Sequence, residues 1–457
     1  MDNQEKIRLF EETPVPKAVM TMAIPTIISS LVMVIYNLAD TYFVGMLNDP
    51  VQNAAVTLAA PVLLAFNAVN NLFGVGTSSM MSRALGQKDY DTVQRSSAFG
   101  FYCSLISGIL FSIVFTALRG PLLTILGADS ITRAATSEYL KWTVTCGAAP
   151  AILNVVLAYL VRAEGASLHA SVGTMSGCLL NIVLDPIFIL PWGLDLGAAG
   201  AGLATFLSNC FACLYFFVLL FKKRGNTYVC IYPSMARAKP AVIAGICGVG
   251  IPSAIQNLLN VTSMTVLNNF TSVFGSDAVA AMGISQKINM VPLYIALGIS
   301  QGIMPLISYC YGSGNAKRLK DVLFFSVRIA ISFMIVAAAG FYFGADTLIS
   351  MFMKNESIVA YGGKFLHGMC LALPFLCMDF LAVGVFQACG MGRKALVFAV
   401  LRKIILEIPA LYLLNLIWPL YGLAYAQTAA EIVLSIAAVV VLFRLFRQLD
   451  ARKQPAK

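Results

Sequence analysis

Long apolar segments, separated by short polar loops, constrain this chain more than any other feature of its sequence. One of them, AIPTIISSLVMVIYNLADTYFVGM, runs from Ala23 to Met46 and contains a single charged residue, Asp40. A helix that spans a bilayer needs about 20 such residues. Only 11% of the 457 residues are charged, against roughly 25% in soluble domains. The pattern therefore predicts an all-α integral membrane protein and disfavours a β-barrel, whose strands would alternate.

The apolar runs predict twelve transmembrane helices in two pseudo-symmetric six-helix bundles. The predicted parts are a cytoplasmic N-terminal segment (1–17), an N-lobe with the first six spans (18–221), a cytoplasmic linker (222–240), a C-lobe with the last six spans (241–446) and a cytoplasmic tail (447–457). Residues 1–17 mix acids and bases without a separate apolar region. We therefore expect no secretory signal peptide.

Basic residues are concentrated in alternate loops, which predicts the orientation of the chain in the membrane. The loops after odd-numbered spans hold only Arg119, Arg133 and Lys354. Because lysine and arginine favour the cytoplasmic side, both termini should be cytoplasmic and the protein should lie in the inner membrane. The net charge of +10 then reflects topology, and no nucleic-acid partner is expected. The loops after even-numbered spans and the tail hold Arg83, Lys88, Arg95, Arg162, Lys222, Lys223, Arg224, Arg237, Lys239, Lys317, Arg318, Lys320, Arg393, Lys394, Arg444, Arg447, Arg452 and Lys453.

The two halves of the chain repeat one another. Ile24-Pro25 opens the first half and Ile251-Pro252 opens the second, and Gly86 is matched by Gly312 at nearly the same offset. Each half is predicted to hold six spans, so both enter the membrane in the same orientation. Parallel repeats of this kind are typical of secondary transporters.

Several carboxylic acids fall inside apolar spans, where ionisable residues are costly and usually functional. Glu407 lies close to Arg402 and Lys403, and we expect it to pair with one of these bases. No role is assigned to Glu431. The acidic residues in spans are Asp40, Asp185, Asp379, Glu407 and Glu431.

Asp40 and Asp185 have no basic residue at helical reach in their own spans. Tyr36 lies one turn before Asp40 and Asn181 one turn before Asp185, so each acid shares a helix face with a polar neighbour. Carboxylate, amide and hydroxyl oxygens can hold a proton or a hard cation such as Na⁺. The two acids are therefore the predicted coupling site. Release of a cation from this site would change its charge and so favour a different conformation.

Enzyme signatures are missing from the sequence. No GxxxxGK[ST] loop and no Asp-rich metal motif such as DDxxD is present. We therefore expect neither an enzyme nor a cofactor, and transport energy should come from an H⁺ or Na⁺ gradient. The alternatives are a lipid-linked oligosaccharide flippase, which would need a strongly basic cavity, and a membrane-embedded enzyme acting on isoprenoid lipids. A receptor or channel is disfavoured by the repeat and the buried acids.

Three motifs together with the repeat resemble the MATE (multidrug and toxic compound extrusion) family over nearly the whole chain. They are LADTYFVG at the end of the first span, RAEG after the fourth, and NIVLDPIFI in the fifth. The resemblance implies two six-helix lobes around a central cavity that opens to alternate sides. A family pattern of Glu in the seventh span and Asp in the tenth is kept only in part, because Asn260 replaces the Glu. This departure favours the MepA/DinF-like branch.

The resemblance also implies site residues. The cation site would comprise Asp40, Asn181, Asp185 and Thr205, which would act as metal ligands only if Na⁺ is the coupling ion, with Tyr36 and Asn154 as accessory positions. Substrates would be amphipathic organic cations, and a monomer in the lipid bilayer suffices. The predicted substrate contacts are Gln256, Asn257, Asn260, Met264, Met282, Gln286 and Asp379.

Overall fold

The structure, a computed structural model, describes residues 2–353 and 355–451 and is mostly helical. Lys354, Arg452 and Lys453 lie outside these residues. The first half contains α1 (Asn3–Glu11), α2 (Val15–Gly45), α3 (Pro50–Asn70), α4 (Gly76–Gly86), α5 (Tyr90–Ala117), α6 (Arg119–Ile125), α7 (Arg133–Leu140), α8 (Ala148–Ala163), α9 (Ser167–Ile189) and α10 (Gly197–Lys222). The second half contains α11 (Pro240–Ser272), α12 (Ser276–Gly312), α13 (Ala316–Phe352), α14 (Glu356–Cys370), α15 (Leu373–Ala388), α16 (Gly392–Val400), α17 (Ile408–Ile417) and α18 (Gly422–Ala451).

Long apolar helices confirm the all-α membrane class. Nine helical segments within the described residues are long and apolar enough to cross a membrane, and two bent helix pairs raise the number to eleven. The remaining predicted span corresponds to α16 and α17, joined by the π-helical segment Leu401–Glu407. This stretch contains the charged residues Arg402, Lys403 and Glu407, and is therefore not apolar enough to count among the spanning helices. The count of twelve therefore stays a prediction.

One bent pair has an identifiable cause. The π-helical segment Lys141–Cys146 follows α7, and the axis turns by 50° before α8. Gly147 lies at the bend, where a Cβ would stand only 2.5 Å from the carbonyl oxygen of Trp142. A larger residue would thus clash with the preceding turn, so the glycine permits the bend.

Packing divides the chain into two compact units. The first comprises the described part of Met1–Glu12 together with Ile28–Ala254. The second comprises Thr13–Ile27 together with the described part of Ile255–Lys457. The helices that open the two halves, α2 and α11, are each divided between the two units, whereas each predicted lobe contains its opening helix whole.

Glycines explain why the first halves of α2 and α11 pack where they do. In the second unit, a Cβ on Gly302 of α12 would lie 2.8 Å from the Cα of Ala23 on α2. In the first unit, a Cβ on Gly250 of α11 would lie 2.0 Å from the carbonyl oxygen of Leu72. Small residues let helix backbones approach closely. The resulting van der Waals contacts drive helix association in a membrane, where the hydrophobic effect does not act between helices.

The RAEG motif anchors the polar end of the first unit. Glu164 is buried and accepts hydrogen bonds from Lys6 Nζ at 2.7 Å and from the backbone nitrogen of Tyr228 at 2.6 Å. Gly165 follows with a φ of +91°, a conformation that favours glycine. Burial raises the pKa of Tyr228 to about 12, and the nearby Tyr90 and Glu164 add to the rise. The motif therefore ties α1 and the linker to the end of α8.

Candidate functional site

Three helices of the first unit carry five of the six predicted coupling residues. Tyr36 and Asp40 lie one turn apart on α2, and Asn181 and Asp185 lie one turn apart on α9. Thr205 lies on α10, which packs closely against α9 because Gly177 leaves no side chain between them: a Cβ there would meet the carbonyl oxygen of Ser208 at 3.1 Å. Helical spacing and this close approach place the polar groups together.

Asn181 joins Asp185 to α10. In the amide orientation that satisfies both neighbours, its nitrogen donates to Oδ2 of Asp185 at 2.8 Å and its oxygen accepts from the backbone nitrogen of Thr205 at 3.1 Å. In the opposite orientation the amide oxygen would face the carboxylate, which accepts but does not donate. Asp185 is fully buried and Asn181 nearly so, so this hydrogen bond is shielded from water.

Asp40 lies at the more open side of the same site. It is half-buried, and it is the charged group that acts electrostatically on Asp185. The Tyr36 hydroxyl faces the side chain of Thr205. None of the ion pairs among the described residues involves Asp40 or Asp185. The two carboxyls thus share an apolar environment without a cationic side chain to balance them.

Tyr139 belongs to this site and was not found from the sequence. It is buried on α7, and its hydroxyl lies within electrostatic range of both Asp40 and Asp185. A tyrosine at the start of a predicted span resembles an ordinary interfacial residue. In the structure α7 packs closely on α10, where a Cβ on Gly202 would lie 2.9 Å from the carbonyl oxygen of Tyr139. No signal in the sequence distinguished it.

The Asn154 side chain joins α8 to α10. Its amide nitrogen donates to Oδ1 of Asn209 on α10 at 3.0 Å and to the carbonyl oxygen of Pro150 at 2.8 Å. These contacts bind α8 to α10, and the accessory role of Asn154 at the coupling site stays a prediction. The Asn154–Asn209 pair is a polar contact between helices of the kind that holds membrane helices together.

The predicted substrate contacts do not form one exposed group in this structure. Gln256, Asn257 and Asn260 are half-buried on α11, as is Gln286 on α12, while Met264 is exposed. Met282 and Asp379 are each 1% exposed. Met282 packs in the apolar core of the second unit and Asp379 is ion-paired with Arg402, so neither side chain is open to a ligand in this conformation.

The second unit buries a charged cluster that the sequence anticipated in part. Lys403 Nζ lies 2.6 Å from Oε2 of Glu407, which confirms the predicted pairing of Glu407 with one of the two bases. Glu431, to which no role was assigned, contacts Arg402 at 2.7 Å. No group of three or more His, Cys, Asp or Glu side chains within the described residues is arranged to hold a metal ion.

Comparison with known proteins identifies the class. The MatE family model matches residues 25–187 and 252–413, so each half of the chain matches separately, as the internal repeat predicts. The chain belongs to the MATE family and is a multi-pass membrane transporter.

Similar proteins cover almost the whole chain. It is 33% identical over 442 residues to the multidrug export protein MepA of Staphylococcus aureus strain MRSA252, covering 96% of each chain, and 32% identical to MepA of Staphylococcus haemolyticus strain JCSC1435, covering 98% of each. Its fold matches a multidrug resistance MATE family transporter of the MOP superfamily solved in an outward-facing conformation, with a TM-score of 0.92 and 26% identity over 98% of this chain and 99% of that one. A MOP superfamily transporter from Pyrococcus furiosus, whose binding pocket is described as having reverse polarity, matches with a TM-score of 0.88 and 27% identity over 99% of each chain.

Proposed function

We propose that this protein is a secondary active antiporter that exports amphipathic organic cations in exchange for H⁺ or Na⁺ by alternating access. It would act as a monomer in the inner membrane, with both termini in the cytoplasm. Multidrug export by the two MepA relatives supports the substrate class. The observation that carries the coupling is the burial of Asp185 beside Asp40 with Asn181 as its hydrogen-bond donor.

The charge of this site depends on whether a cation is bound. With both acids ionised and no basic partner, the site carries two negative charges in an apolar environment, which is costly. One proton or one Na⁺ lowers that charge, so the bound and free forms favour different conformations. Only a differential affinity of this kind lets an ion gradient drive the release of another cation.

The two ions make different demands on Asn181. A sodium ion needs oxygen ligands, so the Asn181 amide oxygen and the Thr205 hydroxyl would have to turn toward Asp185 and Asp40. In the orientation described above, the Asn181 nitrogen faces Asp185 instead. A proton makes no such demand, because a protonated Asp185 can accept from the amide nitrogen or donate to the amide oxygen.

The flippase alternative gains no support from the two buried cations of the second half. Arg402 and Lys403 are buried and paired with carboxylates, while Lys287 and Arg328 are exposed on their helices. A cavity that binds an anionic lipid head group would need unpaired cations facing it.

Proteoliposomes with an imposed H⁺ or Na⁺ gradient test the proposal. Purified protein should transport ethidium under one of the two gradients, and Asp185→Asn should lose this transport while remaining folded. Couplings between sites typically reach about 1–3 kcal/mol, so we expect a loss of roughly 5- to 150-fold.

Asp195→Asn is the matched control. It makes the same chemical change at an exposed loop position whose φ of +51° asparagine tolerates well. Ethidium transport that ignores both gradients, or that is equal in Asp185→Asn and wild type, would contradict the proposal.

A further inference from the structure

The charged cluster of the second unit comprises Asp379 on α15, Arg402, Lys403 and Glu407 on the π-helical segment, and Glu431 on α18. All five residues are buried. The cluster has three carboxyls and two cationic groups, so it would carry a net charge of −1 if every group were ionised. The predicted coupling site, in the other unit, makes no use of these residues.

Glu407 is locally balanced. Its Oε2 accepts from Lys403 Nζ at 2.6 Å, and its Oε1 accepts from the Ser263 hydroxyl of α11 at 2.5 Å. One carboxylate therefore meets one ammonium group and one hydroxyl donor. The surplus negative charge does not arise at this end of the cluster.

Among the described residues, Arg402 is the one cation within ion-pair distance of the other two carboxyls. Its NH1 atom donates to Oδ2 of Asp379 at 3.3 Å, and its Nε lies 2.7 Å from Oε1 of Glu431. The Nε contact is not aligned as a hydrogen bond, so neither oxygen of Glu431 receives a hydrogen bond from the described residues, and Oδ1 of Asp379 receives none either. Glu431 is completely buried and Asp379 nearly so. One guanidinium thus serves two carboxyls that are short of donors.

Burial decides how such an arrangement is neutralised. Protonating an ordinary carboxyl at neutral pH costs about 4 kcal/mol, at 1.36 kcal/mol per pH unit. An unpaired buried charge costs several kcal/mol or more, and such groups neutralise instead of remaining charged. The charged groups that act on Glu431 are Arg402, Lys403 and Glu407, and those that act on Asp379 are Arg402, Glu431 and Lys403. Arg402 and Lys403 are therefore the two cations already included in the net charge of −1.

We propose that Asp379 and Glu431, on either side of Arg402, form a second proton-binding site that holds one exchangeable proton between them. The proton bonds to a carboxylate oxygen in the closed unit and passes to water when the unit opens, which leaves the cluster with a net charge of −1. The π-helical turn, a feature frequent at functional sites, carries Arg402 at the centre of the pair. The guanidinium is also held by the ring of Phe380, whose centroid lies 4.7 Å away.

Infrared difference spectroscopy of the purified protein between about pH 5 and pH 9, a range that brackets shifted buried carboxyls, detects a protonated carboxylic acid directly. The background should be the Asp40→Asn/Asp185→Asn double variant, which removes the two acids of the predicted coupling site. This choice makes the measurement independent of the proposed antiport. We expect a C=O band of one carboxylic acid that disappears as the pH rises.

Substitutions within the cluster identify the carboxyls that hold the proton. Glu431→Gln and Asp379→Asn should each abolish the pH-dependent band, because either one restores the charge balance. Lys403→Met, which removes a cation, should double the band area. Asp450→Asn, an exposed acid paired with Lys320, should leave it unchanged.

The outcome that overturns the proposal is a background variant without a pH-dependent carboxylic acid band, or a band that survives both Glu431→Gln and Asp379→Asn in folded protein. Gel filtration and thermal unfolding establish whether each variant is folded. If one of the two variants does not fold, the other gives the same answer, since each removes one carboxylate from the same pair.

Discussion

The two units bury carboxylic acids in opposite ways. In the first, Asp185 is fully buried beside Asp40 and an asparagine, without a cationic partner. In the second, Asp379, Glu407 and Glu431 are buried against Arg402 and Lys403. Yet both halves of the chain match the same family model. The repeat therefore preserved the helices while the polar residues inside them diverged.

This difference has physical consequences. A carboxyl pair with neutral neighbours gains or loses a small cation with a full change of local charge, which suits an ion-coupling site. Carboxylates held by arginine and lysine are tied to particular helices, and breaking one such pair leaves an uncompensated charge. The first unit should therefore be more sensitive in transport, and the second in stability.

The largest expected effect is on stability. Arg402→Met leaves Asp379 and Glu431 without their shared cation and should destabilise the protein by about 3–5 kcal/mol, whereas Asp185→Asn should leave stability unchanged. Thermal unfolding in detergent measures both variants. Arg444→Met on the exposed face of α18 serves as the control. Equal stability of Arg402→Met and wild type would show that the cluster is not needed to hold the helices of the second unit together.

An intermediate effect concerns the two acids of the first unit. If Asp40 and Asp185 form one site, each single Asn variant should lose about as much ion-driven ethidium transport as the double variant. The difference from additivity should then be about 0.5–3 kcal/mol, as found for residues in contact. Initial transport rates of the four proteins give this coupling energy. Strictly additive losses would mean that the two carboxyls act separately.

The smallest effect is expected at the residue that the sequence did not reveal. Tyr139→Phe removes one hydroxyl near both carboxyls and should weaken ion-driven transport by about 0.5–1.5 kcal/mol, or up to roughly tenfold. Tyr42→Phe, an exposed tyrosine on α2, should have no effect. A shift in the pH dependence of transport in Tyr139→Phe alone would assign the hydroxyl to the coupling site, and identical profiles would remove it from there.

The sequence by itself determined the membrane class, the internal repeat and the identity of the acids that must be accommodated in apolar spans. These follow from hydropathy and helical spacing, which are local properties. Asn181 with Asp185 and Tyr36 with Asp40 could be paired because each pair shares a helix face. The pairing of Glu407 with a neighbouring base was predictable for the same reason.

Only the tertiary structure decided which helices bring their polar residues together. Tyr139 comes near the carboxyls where α7 packs on α10 beside Gly202, and Asn154 contacts Asn209 through the packing of α8 on α10. Arg402 faces both Asp379 and Glu431, which lie on other helices. The cost of burying a charge is visible in a sequence, but the partner that offsets it depends on how close two backbones come, and glycines such as Gly177 set that distance in three dimensions.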